Sequence, residues 1–229
     1  MKSVCESSTT KAEKISYSVP SNKIENGKTY LIGANGTAPL ELQIFGEHNL
    51  MNLEGARLVC NAIGVTGEKF YEAIKSFKGA ARRLETVMST DDFILFKDFA
   101  HSPSKLKATA DAVKKQFTGR KVIACMELHT FSSLNENFLS EYKGSMDLPD
   151  EAFVYFNPHT IAHKKLKPIS TEQVKAAFGR NDLQVFTDSS ELLKNLLSKN
   201  YKNSVLLMMT SGNFDGIDFN DLGKKISGL

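Results

Sequence analysis

A chain of 229 residues, 41% apolar and 24% charged, is long enough for one large core or for one core with an appended piece of another. Its 29 basic and 26 acidic side chains leave a formal charge of +3, too slight and too dispersed to argue for a nucleic-acid partner. Three cysteines without C-x-x-C spacing suit a reducing cytoplasm, and no apolar run approaches the length needed to span a membrane.

The start, Met1-Lys2-Ser3-Val4-Cys5, leads into polar residues, which argues against secretion. Ile15, Tyr17 and Val19, and then Leu40, Leu42 and Ile44, alternate between turns at Gly27, Gly33 and Gly36. The pattern predicts two or three antiparallel strands, too few to close a core alone. From Gly46 the period changes. Leu53, Ala56, Val59, Cys60 and Ile63 recur at helical spacing, Gly64 ends the run, and Phe70, Ile74 and Phe77 mark a second helix.

After Thr90 strands and helices alternate. Strands are predicted at 93–97, 121–126, 152–156, 183–186 and 204–209, with helices opening at Ser102-Pro103, near Asn135, at Thr171, at Ser189 and at Asp218. Repeated units of this length predict an α/β fold, a mostly parallel Rossmann-like sheet with helices on both faces. Ligands bind such sheets at the carboxyl ends of the strands, where the polar clusters of this chain also fall. Asp98 and His101 follow one strand, Glu127 and His129 the next, Asn157 and His159 the third, and Ser211-Gly212-Asn213 the last.

Each cluster has an ordinary explanation. Asn49 can cap a helix with Asn52 in solvent, Arg82 and Arg83 can pair with Glu85, and Asp98 can form a turn. His129 can be a structural hydrogen-bonding group, and Ser211 to Gly216 a Gly-rich turn. Each also has a ligand-binding one. Two carboxamides three residues apart suit an adenine edge, and an Arg pair after small residues suits phosphate. Asp98 could accept from ribose hydroxyls while a helix amino end faces an anion.

Gly-x-His-Asn-x-x-Asn over 46–52, Phe-x-Gly-x-x-Arg-Arg-x-Glu over 77–85 and Asp-Phe-Ala-His-Ser-Pro over 98–103 resemble the Mur ligase family. The resemblance implies ATP-driven amide formation through an acyl phosphate. It also implies that residues 1–64 are the edge of a central ATP-binding domain and 65–229 a C-terminal domain. Asn49, Asn52, Arg83, Asp98 and His101 would then meet the nucleotide, with Arg83 facing the phosphates as the catalytic charge. Glu127, His129, Ser211, Gly212 and Asn213 would meet the substrate.

Departures are visible. Ser102 replaces a second His, Lys97 an acidic residue, and Thr130 and Ser133 the two arginines of the alanine-adding branch. Glu127 and the 46–57 run look most like the branch that reattaches a recycled peptide, but of the Glu-Pro-Arg-Ser of that branch only Glu127 remains, so the acceptor-binding element departs from both. The implied partners are UDP-N-acetylmuramate, a murein peptide or L-alanine, and the N-terminal and central domains of the same enzyme. ATP and Mg2+ are the implied cofactors. No G-x-x-x-x-G-K-[ST] loop and no metal-ligand spacing occurs, so the resemblance implies a chain inactive alone. A non-catalytic nucleotide-binding module is the alternative from another class. A dinucleotide-binding dehydrogenase is disfavoured because no strand leads into G-x-G-x-x-G.

Overall fold

A strand covered on both faces has no solvent side, so it reads as a continuous apolar run. Four such runs, β5 (Phe93–Asp98), β6 (Lys121–Glu127), β7 (Glu151–Tyr155) and β9 (Ser204–Met209), are the centre of the fold in this computed structural model, which describes residues 7, 9, 11, 13–33 and 38–229. With β4 (Glu85–Ser89) and β8 (Gln184–Phe186) they form a six-stranded sheet of order β4-β5-β9-β6-β7-β8. Only β4 runs antiparallel to its neighbour.

Alternate residues of β9 separate two cores. Val205, Leu207 and Met209 pack with α3 (Pro103–Gln116), α4 (Glu136–Leu139), α5 (Pro158–His163) and α6 (Thr171–Phe178). Leu206 and Met208 pack on the opposite face with α7 (Ser189–Leu197) and α8 (Phe219–Ser227). The last strand in sequence is thus inserted between β5 and β6, and the chain leaves β5 and β9 toward opposite faces. That reversal opens a crevice at their carboxyl ends.

The first part of the chain builds a smaller unit. Strands β1 (Asn22–Glu25), β2 (Lys28–Leu31) and β3 (Leu40–Leu42) form an antiparallel sheet. Helices α1 (Glu47–Ala62) and α2 (Gly67–Ile74) close it around Leu31, Leu42, Leu50, Leu53 and Phe70. Phe45 ties this unit to the large core, its ring 5.6 Å from both Phe96 and Phe117. Gln116, buried at the end of α3, accepts from Thr29 Oγ1 at 2.8 Å and donates to the Gly27 carbonyl at 2.6 Å.

The expectations for this region need three corrections. The strands lie at 22–31 and 40–42, not along Ile15 to Val19, a stretch without strand structure in which Ile15 and Tyr17 are half exposed. Alternation alone gives no strand without a partner ladder to join. Val59 and Ile63 share the helical spacing but are 64% and 74% exposed, because α1 buries its amino-terminal half. Phe77 lies beyond the end of α2. Gly36 and Cys5 fall outside the described residues.

Gly46 precedes α1 with φ +88°, and a Cβ there would sit 2.7 Å from the Ala112 Cβ of α3. Both the backbone conformation and the approach of helix to helix demand glycine. Gly46→Ala is therefore expected to destabilise the chain by about 2–4 kcal/mol, read by urea unfolding.

Candidate functional site

The segment from Gly79 to Leu84 connects the small unit to the sheet, and its backbone is under strain. Arg82 (φ +59°) and the buried Leu84 (φ +45°) adopt left-handed conformations that side chains disfavour by about 1–3 kcal/mol each. Hydrogen bonds hold the turn. The Leu84 N–H donates to Asp98 Oδ2 at 2.7 Å, the Arg82 N–H to Glu85 Oε2 at 2.8 Å, and the Phe99 N–H to the Arg82 carbonyl at 2.8 Å. The consequence is an exposed Arg83 fixed at the root, its guanidinium 5.9 Å from the Phe99 ring centroid.

Arg83 lines a pocket of about 650 Å³ between α1, the 77–80 turn and the start of α3. Its walls are apolar, from Ile44, Leu53, Ala56, Ile74 and Phe77, and Asn49 and Asn52 face it from the first turns of α1. Lys105 adds a second cation to the lining, and His48 an imidazole. Asn49 Nδ2 donates to the Phe45 carbonyl at 2.9 Å, which fixes the amide plane and leaves its oxygen available. An apolar slot with two carboxamides and a cationic end can stack a flat heteroaromatic ring and hold an anion attached to it.

The structure therefore brings Asn49, Asn52 and Arg83 together, and it places Asp98 elsewhere. Asp98 is 3% exposed, and its two oxygens accept from the N–H groups of Leu84 and Ala100 at 2.7 Å and from Thr109 Oγ1 at 3.3 Å. It is a buried clamp for the Arg83 turn and not a group open to ribose hydroxyls. His101 is half-buried, stands outside the pocket lining, and faces the Phe99 carbonyl through Nδ1 at 2.8 Å.

His48 and Lys105 were not singled out from sequence. His48 lay inside the quoted motif, and Lys105 lay in the first turn after Pro103, where a cation opposes the helix dipole. Burial lowers the pKa of His48 from its ordinary 6.5, with Asp98 acting in the opposite sense and Arg83 in the same sense. Below about 6.5 the unfolded chain thus binds a proton that the folded chain refuses, and stability falls with pH until the folded value is passed. His48→Asn is expected to flatten this acid loss of Tm, measured by thermal melting across that range.

The second group gathers at the carboxyl ends of β6, β7 and β9. Glu127, 2% exposed, ends β6 and accepts from Thr210 Oγ1 and from the Phe214 N–H at 3.0 Å. Its other oxygen lies 3.4 Å from Nδ1 of His129. A Cβ on Gly212 would lie 2.7 Å from Glu127 and 2.8 Å from the His129 ring, so the 210–214 loop can cover the pair only with glycine there. The Ser211 Oγ is buried without a hydrogen-bond partner, and Asn213 is exposed.

Asp215, next in this loop, was missed because Asn-Phe-Asp-Gly reads as a turn. It has φ +54° and accepts from Tyr155 Oη and Asn157 Nδ2 through one oxygen, which leaves the other toward solvent. Burial first, and then Asp215, raises the Tyr155 pKa and keeps the phenol protonated. The two groups are adjacent, since the Thr210 N–H donates to the Asp98 carbonyl at 2.9 Å.

A doubly wound sheet with a polar crevice at its strand ends is the α/β architecture that places ligands at the carboxyl ends of its strands. Its family follows from comparison. The profile described as Mur ligase, glutamate ligase domain matches residues 82–212, more than half of the chain, and the chain belongs to the Mur ligase family. The UDP-N-acetylmuramate–L-alanine ligase of Sulfurihydrogenibium sp. is 30% identical over 195 residues, covering 83% of this chain and 41% of that protein. That of Caldicellulosiruptor bescii is 38% identical over 117 residues, covering 51% of this chain and 25% of its own length.

Among solved structures, UDP-N-acetylmuramate-alanine ligase from Thermotoga maritima superposes with TM-score 0.66 at 17% identity, over 91% of this chain and 44% of that one. A murein peptide ligase from Psychrobacter arcticus does so with TM-score 0.58 at 22% identity, over 95% and 44%. These two likenesses establish the fold. The chain spans less than half the length of the relatives it matches.

Proposed function

We propose that this chain is the carboxy-terminal part of an ATP-dependent amide ligase of peptidoglycan synthesis or recycling. In this reading the small unit, α2 included, is the edge of the central ATP-binding domain and the sheet from β4 onward the C-terminal domain, which moves the boundary from the expected 64/65 to the 79–84 connection. The observation that carries it is the pocket in which the neighbouring Asn49 and Asn52 meet Arg83, a residue distant from them in sequence, a grouping one nucleotide would require. Adenine fits the apolar walls and the two carboxamides, and the phosphates fit Arg83 and Lys105. His101 and the amino end of α3 lie beyond Asp98, which acts by holding Arg83 in place.

Among the described residues no three His, Cys, Asp or Glu side chains gather to hold a metal. This donor set does not fit Mg2+. The ion, the loop that cradles the triphosphate and the site for UDP-N-acetylmuramate belong, on this proposal, to the preceding part of the enzyme. The reaction would convert a substrate carboxylate to an acyl phosphate, which an amine then displaces. Arg83 contributes by neutralising phosphate charge, and the crevice of Glu127, His129 and Gly212 receives the amine acceptor.

The acceptor we favour is a murein peptide, as in UDP-N-acetylmuramate:L-alanyl-γ-D-glutamyl-meso-diaminopimelate ligase. The Gly-x-His-Asn-x-x-Asn-Leu-Glu-Gly-Ala-Arg run and Glu127 support it, and so does the absence of arginine at positions 130 and 133. L-Alanine is the second reading, because the Sulfurihydrogenibium relative carries that name. The test is mass-spectrometric detection of product from the enzyme with its P-loop part, given ATP, magnesium and UDP-N-acetylmuramate, with tripeptide and L-alanine in competition. Tripeptide product is expected. Alanine product transfers the chain to the second reading, and no product with either overturns the ligase reading.

A further inference from the structure

The Glu127 carboxylate is 2% exposed, and a buried charge needs a partner. Among the described residues no lysine or arginine lies within ion-pair reach of it, and His129 is the basic group that does. Thr210 Oγ1 and the Phe214 N–H occupy one carboxylate oxygen, and the other lies 3.4 Å from Nδ1 of His129. Gly212 seals the pair from above, because any side chain there would strike both. The His129 side chain is nonetheless 37% exposed and stands in the crevice at the strand ends. A buried carboxylate that orients an accessible imidazole is the arrangement by which proteins hold a base in one tautomer and meet the positive charge it acquires.

We propose that Glu127 and His129 form a general-base dyad that takes the proton from the ammonium group of the incoming amine acceptor. The assignment rests on the ligase reading above and adds a catalytic role to a crevice so far given only binding. With Nδ1–H directed at Glu127, Nε2 carries the free lone pair. An ammonium group passes one proton to Nε2 and becomes a neutral amine. Its nitrogen lone pair attacks the carbonyl carbon of the acyl phosphate. The C–N bond forms, the C–O bond to phosphorus breaks, inorganic phosphate leaves with the electron pair, and the remaining excess N–H proton passes to solvent. The other titratable groups around the dyad are Cys125 on β6, Tyr155 on β7 and Asp215 after β9. Burial and Glu127 keep Cys125 a thiol, and Tyr155 stays a phenol that donates to Asp215.

Two measurements test this. Imidazole nitrogen NMR of the chain should show neutral His129 as the Nδ1–H tautomer, and a predominant Nε2–H tautomer would overturn the dyad. In the enzyme with its P-loop part, His129→Gln should lower the amide-forming kcat at saturating acceptor by about 100-fold or more and remove the acid limb of the pH–rate profile. Glu127→Gln should act in the same direction with a smaller loss. Hydroxylamine, already neutral near pH 7, needs no base to intercept an acyl phosphate, so hydroxamate formation should persist in both variants. Hydroxamate with undiminished amide formation in His129→Gln overturns the dyad alone. Absence of hydroxamate from the unaltered enzyme overturns the ligase reading, and the dyad's catalytic role with it.

Discussion

Replacing Asp98 by alanine is expected to lower folding stability by about 3–5 kcal/mol and Tm by about 6–15 °C. The carboxylate is buried, and its loss strands two main-chain donors at once, the N–H groups of Leu84 and Ala100, both inside the protein. Each buried donor left without a partner costs about 1–3 kcal/mol. The damage reaches the site as well. Leu84 holds a left-handed conformation with Asp98 opposing its relaxation, so the turn that presents Arg83 should loosen when the clamp goes. Asp98→Asn keeps one carbonyl acceptor and should lose about half as much. Thermal and urea unfolding of the two variants beside the parent chain decide the matter. Equal stability of Asp98→Ala and the parent would show that Asp98 is not the clamp.

Arg83→Ala should leave stability nearly unchanged, because the side chain is exposed and makes no ion pair among those described. In the complete enzyme it should reduce turnover at least tenfold, since a charge-assisted contact to phosphate contributes about 1.5–3 kcal/mol. Arg83→Lys restores the charge but not the planar fork, and should recover only part of the loss. The neighbouring Arg82→Ala is the control. It removes the same charge from the same turn but not from the pocket lining, so a smaller effect is expected. Steady-state kinetics at saturating ATP, paired with melting curves, separate a lost contact from a lost fold.

The central strands were readable because burial on both faces leaves an unbroken apolar run, and β9 over Ser204–Met209 coincides with its expected limits. Helices with strong end signals were equally plain, as at Ser170, where a complete capping box opens α6. Edge elements were not. β4 (Glu85–Ser89) went unpredicted because it is an edge strand with mixed exposure, and β1 (Asn22–Glu25) carries Asn, Lys and Glu around a single, exposed Ile24. α5 (Pro158–His163) is too short for helical periodicity to register.

The candidate site was readable in part for the same physical reason. Polar residues after apolar strands mark strand ends, which found Glu127, His129 and Gly212. Side-chain direction carries no such mark. Asp98 occupies a strand end like the others, yet the main chain of the 82–84 turn folds over it and claims its oxygens. Lys105 and Asp215 reach their places through tertiary packing, one from a helix amino end and one from a strained loop.

The most direct test is a titration of this 229-residue chain with ATP, following the side-chain amide resonances of Asn49 and Asn52 by NMR. Saturable shifts of both resonances, with affinity at least tenfold weaker in Arg83→Ala, are the result expected from a nucleotide pocket built by α1 and the 79–84 turn. Shifts confined to other parts of the chain, or unchanged ATP affinity in Arg83→Ala, would contradict it.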